Sequence, residues 1–272
     1  MIWRCRNIEF DLSDAIVMGI LNLTPDSFSD GGEYFDLTKA YSHAHRMLEE
    51  GASIIDIGGE STRPGSNELD EDTELGRVLP LVKALCEEGL VISIDTRHPK
   101  VAAACIDAGA AIVNDVSGYR DPRMREVAGK SDVGCVVMHM LGEPQSMQVD
   151  PHYDDVVGEV KDYLLGQAAL LQSAGVAPDR ICIDPGPGFG KDFSHNLALL
   201  QATSELAALP YPLMAAYSRK GFIGKMTGIT EAADRAATSA IVAAWAAKQG
   251  ARVLRVHDVR ATVEALKVFR YL

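Results

Sequence analysis

The chain has 272 residues, 47% of them hydrophobic and 24% charged, enough to bury a substantial core without disulfides or a structural metal. A formal net charge of −12 leaves no basic excess for a sequence-independent grip on nucleic acid, although a local cluster of donors for a small anion is not excluded. Five scattered cysteines with no CxxC spacing suggest a reducing, cytoplasmic setting, the charged start MIWRCRNIEFDLSD is no signal peptide, and no apolar run approaches the ~20 residues of a membrane span.

In chain order, residues 1–12 read as a short β-hairpin, followed by apolar runs rich in Val and Ile at 16–21, 53–57, 91–94, 111–113, 134–138, 181–183, 211–215 and 252–256. Stretches with helical spacing lie between them, at 37–50, 73–88, 101–108, 154–174 and 231–249. Continuous apolar strands alternating with helices predict a parallel sheet buried on both faces. Eight units in this length fit an α/β fold of the (β/α)8 TIM barrel type, with the hairpin laid across the barrel bottom. No linker or composition break divides the chain, so residues 1–272 are expected to form one domain. A doubly wound open sheet has the same periodicity, but it gathers its ligand groups at one switch point. Here every strand is followed by a polar group: Asn22, then Glu60 to Arg63, Asp95, Asn114–Asp115, His139, Asp184, Ser218 to Lys220, and His257. That distribution suits a closed ring of loops around one site.

The strand-end residues fall into two sets. Asp184, in IDPGPGFGK, is placed to accept two parallel hydrogen bonds from an amidine-like edge of a flat heterocycle. Asn114, in IVNDVSG, both donates and accepts, and Asp95, in ISIDT, adds a second carboxylate, although a helix beginning near Pro99 makes capping an alternative role for Asp95. The second set is cationic: Lys220, Arg255 and Arg63, with His257 beside them, suits an anion or an electron-rich carbonyl. Arg219 reads better as half of a salt bridge, and His257 as readily as a structural cap. Two long loops dense in Gly, Pro, Ser and Asp, NLTPDSFSDGGEYF and GGESTRPGSNELDED, follow the first two strands in the manner of lids. GPGFGK lacks the spacing and hydroxyl residue of a P-loop, and His43 and His45 point apart on a helix and cannot share a metal.

Taken in order, MGILNLTPDSFSDGG, IDIGGESTRPGS, ISIDT, IVNDVSG, VVMHM, IDPGPGFGK, SRKGFIG and RVHDV resemble the dihydropteroate synthase family from Met18 to Val259. The resemblance implies condensation of 6-hydroxymethyl-7,8-dihydropterin pyrophosphate with p-aminobenzoate by a dissociative, SN1-like route. It implies a pterin site of Asp95, Asn114, Met138, Asp184, Gly188, Lys220 and Arg255, and a pyrophosphate site of Asn22, Thr62, Arg63, Arg255 and His257, with Mg2+ on Asn22. Asn22, Arg63, Asp95, Lys220, Arg255 and His257 are the implied catalytic set. The arylamine is expected among Thr24, Pro25, Phe28, Thr62, Pro64, Phe189, Lys220 and Gly221, in the region that also holds Asp26, Ser27 and Ser218. A homodimer is implied, with the Ala-rich helix near 236–247 as a contact. Ala216 and Tyr217 stand where the family commonly has smaller residues, and Gly221 where it often has a hydroxyl residue or Arg. A methyltetrahydrofolate-dependent methyltransferase shares the pterin barrel but has no use for the pyrophosphate cluster, and a non-catalytic pterin-binding paralogue would lose lid or phosphate residues that are present here.

The lid role of Arg63 separates binding from chemistry. Arg63→Ala is expected to leave pterin affinity near the parent value and to lower turnover, as measured by calorimetry and steady-state kinetics; equal losses in both would contradict that role.

Overall fold

The computed structural model describes residues 1–23, 32–61, 69–143 and 145–272. The chain opens with a hairpin, β1 (Ile2–Cys5) and β2 (Ile8–Asp11), turned at Arg6 in the left-handed region (φ 57°). The barrel strands follow as β3 (Ile16–Asn22), β4 (Ile54–Gly58), β5 (Ile92–Asp95), β6 (Ile112–Asp115), β7 (Gly134–Met138), β8 (Ile181–Asp184), β9 (Met214–Ala215) and β10 (Val253–Val256). All pair in parallel in the order β8-β7-β6-β5-β4-β3-β10-β9. A bridge between Ile183 and Leu213, with the Ile183 N–H donating to the Pro212 carbonyl (2.9 Å), joins β8 to the segment entering β9 and closes the ring.

Helices cover the outside: α1 (Gly32–Glu49), α2 (Glu71–Glu87), α3 (Pro99–Asp107), α4 (Pro122–Gly129), α5 (Val156–Ser173), α6 (Phe193–Gln201), α7 (Thr203–Ala207), α8 (Gly221–Thr227), α9 (Ala236–Lys248) and α10 (Val259–Phe269). Their starts are written in the sequence. Asp70 accepts from the Thr73 N–H (2.9 Å) ahead of α2, Asp155 from Gly158 (3.1 Å) ahead of α5, and Asp192 and His195 form a reciprocal cap on α6. Helix α2 buries Val78, Leu81, Val82 and Leu85, the spacing of one helical face turned to the strands. No described helix is long and apolar enough to cross a membrane.

The expected strand at 211–215 shrinks to two residues. Pro210 and Pro212 have no N–H to give to a ladder, so regular pairing starts only at Met214. The expected helix at 231–249 breaks into a short 3-10 turn, Ala233–Arg235, and α9. Helices α4, α7 and α8 are too short to leave a periodic trace, whereas α6 begins about ten residues after Asp184 and α10 follows His257.

Side-chain alternation makes the barrel interior a stack of layers. The lowest layer is apolar: Met18, Ile54, Ile112, Val136, Cys182, Met214 and Val253 meet Trp3, Cys5 and Leu12 from the hairpin end of the chain. The Trp3 indole N–H donates to the Arg180 carbonyl (3.1 Å), and a Cβ on Gly134 would stand 2.4 Å from Cys5 Sγ. The hairpin therefore plugs the barrel bottom, as the sequence suggested.

Trp3 is fully buried in this plug. Trp3→Ala is expected to cost about 3–5 kcal/mol in denaturant unfolding, the usual range for emptying a large aromatic site; a loss below about 1 kcal/mol would mean that the plug does not support the barrel.

Candidate active site

One layer above the plug, the inward positions turn polar. On β4 the inward sequence runs Ile54, Asp56, Gly58, while Ile55 and Ile57 face the helices. The same parity turns Asn114 inward on β6, Met138 on β7, Asp184 on β8 and Arg255 on β10, with Asp95 and Asn22 at the upper ends of β5 and β3. Groups distant in sequence are thus delivered to one end of the barrel by strand register alone.

Arg255 organises this layer. Its Nε donates to Asp56 Oδ2 (2.6 Å), and its Nη2 pairs with Asp95 Oδ2. The Asn114 amide N–H also donates to Asp56 Oδ2 (3.1 Å). Asp56 is fully buried, and its Oδ1 has no hydrogen-bond partner among the described residues. Asp56 lies within a strand and not at its end, so in the sequence only its inward parity inside SIIDIGG marks it. Burial pushes the Asp95 carboxyl up to about 7 against the pull of Arg255. Burial works against the charge of Arg255 too, but Asp56 and Asp95 outweigh it and hold the guanidinium firmly ionised.

Asp184 ends β8, and its Oδ1 accepts from the Gly186 N–H (2.7 Å). Gly186 sits at φ +63°, where a Cβ would fall 1.9 Å from the His139 carbonyl oxygen, so only glycine allows this exit from the strand. Burial raises the Asp184 carboxyl, opposed by Gly186, Lys220, Arg255 and Lys191. Burial and the nearby Arg255 draw Lys220 down to about 8, while Asp184 and Asp95 pull the other way. Its ammonium stands 4.2 Å from the Phe189 ring centroid, and its stem crosses Gly188, where a Cβ would meet Lys220 Cδ at 3.3 Å.

His257 follows β10. Its backbone N–H donates to Ser218 Oγ (3.1 Å), and its ring Nδ1 lies 3.1 Å from the same hydroxyl. Burial, with Arg219 and Arg255 nearby, lowers its pKa to about 3, so the ring is neutral. Arg219 forms the salt bridge expected of it, bidentate to Asp258 (2.9 and 2.5 Å).

A cavity of about 880 Å³ opens at this end of the barrel. Asn22, Asp95, Gly188, Phe189, Lys220, Gly221, Arg255 and His257 line it, as do the strand-end Glu60 and, unforeseen from the sequence, Lys191. Asn114, Met138 and Asp184 are 2–3% exposed and form the layer beneath the wall; Met138 packs with Val116, Met140, Met147 and Phe189. Thr24, Pro25, Asp26, Ser27, Phe28, Thr62, Arg63 and Pro64 lie outside the described residues. Glu60, at the root of the second loop, accepts from the Leu69 N–H (3.0 Å) and forms a two-point ion pair with Arg97.

Several alternatives are settled by contact. Asp95 does not cap α3, because His98 holds that position and the Asp95 carboxylate is taken by Arg255. Asp115 turns into its own loop, accepting from Ser117 and Tyr119. His139 faces Lys191 and not the cavity. His45 pairs with Glu88 (3.2 Å), and among the described residues no group of three His, Cys, Asp or Glu could hold a metal. Tyr217 points away from the site, edge-on to Phe222 (5.8 Å between centroids), so its size is absorbed outside the barrel wall, whereas Ala216 shares the inward parity of Met214.

Residues 18–257 match the family described as "Pterin binding enzyme". The chain is 45% identical to dihydropteroate synthase of Escherichia coli (strain K12), over 97% of this chain and 93% of the relative. The Yersinia pestis dihydropteroate synthase in a sulfonamide drug complex superposes with a TM-score of 0.94 at 42% identity, covering 100% of this chain and 98% of that one. The Burkholderia cenocepacia dihydropteroate synthase complexed with 7,8-dihydropteroate gives 0.90 at 44% identity, with 99% and 95% covered.

Removing the shared cation should expose the cost of the carboxylates it pairs. Arg255→Met is expected to destabilise the fold by about 3–5 kcal/mol at neutral pH, since it strands buried charge. Asp95, already raised to about 7 and then without its cation, would bind its proton more tightly folded than unfolded, so the deficit should shrink as pH falls from about 8 to about 5.5. Urea unfolding at both values checks this, and a deficit that grows on acidification would contradict the pairing.

Proposed function

The chain belongs to the pterin binding enzyme family, and from that premise we propose that it is a dihydropteroate synthase, a transferase of folate biosynthesis. It condenses 6-hydroxymethyl-7,8-dihydropterin pyrophosphate with p-aminobenzoate, giving 7,8-dihydropteroate and pyrophosphate. The observation that carries the reading is the convergence of Asp184, Lys220 and Arg255 at one end of the barrel, close enough that both cations act on the Asp184 carboxyl. An acceptor at the floor and donors above it match the pterin's own polarity, an amidine edge on one side and a carbonyl with a ring nitrogen on the other.

In this reading the Asp184 carboxylate accepts from the ring N–H and the exocyclic amino group. Asn114 gives one amide hydrogen to Asp56, which leaves its other hydrogen and its oxygen for the ring. Lys220 donates to the ring carbonyl and the neighbouring nitrogen, with Phe189 and Gly188 setting its stem. As the C–O bond to pyrophosphate breaks, positive charge spreads from the exocyclic methylene into the ring, and the carboxylates of Asp95, Asp56 and Asp184 stabilise it. The leaving group meets the Arg255 guanidinium and the His257 ring, with Thr62 and Arg63 from the second loop. The arylamine, neutral at pH 7, then attacks the methylene from the side lined by Phe189 and Gly221, where the first loop carries Thr24, Pro25 and Phe28. Water competes for the same carbon, so the condensation requires its exclusion from the site.

The residues present fit a magnesium site shared with pyrophosphate. The Asn22 side-chain amide has no hydrogen-bond partner among the described residues, and its Oδ1 lies beside Gly58, where a Cβ would stand 3.4 Å away. With no cluster of three acidic or imidazole ligands among those residues, Asn22 would hold the ion while diphosphate oxygens and water complete its shell. Bound there, Mg2+ supplies charge neutralisation to the departing pyrophosphate.

Five free cysteines, four of them buried, favour the cytoplasm. Ile241 on α9 and Val268 on α10 are 56% and 59% exposed, which favours placing a homodimer contact on these helices. Neither a methyl transferase nor a silent pterin binder needs the cations gathered at the mouth, and neither reading is kept.

Incubation with the pterin pyrophosphate, p-aminobenzoate and Mg2+ is expected to yield dihydropteroate and pyrophosphate in equal amounts. Tight pterin binding with no product would leave only the binding function. Asp184→Ala forfeits charge-assisted hydrogen bonds worth ~1.5–3 kcal/mol each, so pterin affinity should fall at least about tenfold in calorimetry. Unchanged affinity would remove Asp184 from the site.

A further inference from the structure

The GPGFGK segment resembles a phosphate-binding loop without being one, and its lysine is turned inward. Lys191 is 2% exposed. Its Nζ lies 2.8 Å from His139 Nδ1 and donates to the carbonyls of Gly186 (2.9 Å), Phe189 (3.0 Å) and His139 (3.3 Å). We propose that Lys191 is a positioning residue of the pterin site, an internal ammonium that ties the turn after β8 to the end of β7 and so holds Asp184, Gly188 and Phe189 in place around Lys220.

The turn needs such a tie because of its own geometry. Gly186, Gly188 and Gly190 all lie in the left-handed region (φ +63°, +83° and +66°). Alternating left-handed glycines cannot form helix or ladder bonds, so each carbonyl requires a separate donor. Gln148 serves Gly188, Tyr153 Oη serves Gly190 (2.8 Å), and Lys191 serves Phe189 and shares the Gly186 carbonyl with the Phe189 N–H (3.2 Å). The same turn delivers the Gly186 N–H to Asp184, the bare backbone of Gly188 beneath the Lys220 stem, and the Phe189 ring beneath the Lys220 ammonium. Displacing it moves three groups that face the pterin while leaving Asn22, Arg255 and His257 untouched.

The charge of Lys191 has a second effect. It is one of three cations that oppose the burial of Asp184. Burial lowers Lys191 itself to about 7, with Asp184 opposing. Three carbonyl oxygens and the neutral His139 ring, whose own pKa is drawn down to about 3 by burial and by Lys191, surround Nζ with acceptors and suit an ammonium. A phosphate-binding loop turns its N–H groups and lysine onto an anion; this loop turns its carbonyls onto its lysine.

This inference rests on the synthase reading, and wild-type condensation tests that reading separately. If the wild-type protein makes no dihydropteroate, the reading itself fails. With an active wild type, Lys191→Met is expected to raise the pterin KM and Kd by at least about tenfold while the affinity for pyrophosphate, which meets Arg255 and His257, stays within about twofold, and Lys191→Arg to recover part of the pterin affinity. A Lys191→Met protein that is less heat-stable but has wild-type pterin KM would reduce Lys191 to a packing residue and overturn the proposal. Should that variant not fold, heteronuclear NMR of labelled lysine Nζ in the wild-type protein decides the matter. One slowly exchanging ammonium that shifts on pterin addition supports the proposal; a Lys191 Nζ that exchanges as fast as surface lysines and ignores pterin overturns it.

Discussion

The site depends on one guanidinium held between two carboxylates. Arg255 rises from β10 to meet Asp56 of β4 and Asp95 of β5, and Asp56 in turn holds the Asn114 amide of β6. With Asp56 fully buried and Asp95 at the cavity wall, the guanidinium between them offsets the repulsion of two carboxylates drawn to one cation. The arrangement contributes little net stability, because desolvation offsets most of the Coulomb attraction. Its value is orientation: the guanidinium plane, the Asn114 amide and the Asp95 carboxylate are each fixed before any ligand arrives, which is the condition for electrostatic catalysis. A dissociative displacement, in which charge separates and little else happens, places its main demand on such fixed charges.

The barrel makes the arrangement possible by assigning heights. The plug of Trp3, Cys5 and Leu12 fills the bottom, so the next inward residues rest on a solid floor and the polar layer sits near the open end. Registers such as Gly58 beside Asp95 and Asp95 beside Asn114 then bring residues from separate strands within reach of one small ring.

Much of this was legible in the sequence, for a definite reason. In a barrel of this type residues at the ends of strands face the site, so Asn22, Asp95 and Asp184 declared themselves by position, and Asn114 by standing one residue before the end of its strand. The strand at 134–138 was legible residue for residue because nothing but apolar residues occupies it. Asp56 was hidden because it lies two residues before its strand ends, where only parity, and not position, marks it as inward. Lys191 was hidden because the direction of its side chain follows from three left-handed glycines, and no periodicity encodes that. The two prolines around Tyr211 shortened a strand that hydrophobicity alone had drawn longer. Among the departures from the family pattern, Tyr217 proves to face the helices and Phe222, which no linear motif could reveal, while Ala216 keeps its inward place.

The most direct test of the account is a crystal structure of the protein with the pterin pyrophosphate bound. The account predicts the ring's amidine edge on the Asp184 carboxylate, the Asn114 amide on the same ring, Lys220 at the carbonyl side, and the diphosphate beside Arg255 and His257. Density for the ring lying elsewhere in the cavity, with the Asp184 carboxylate untouched, would contradict it.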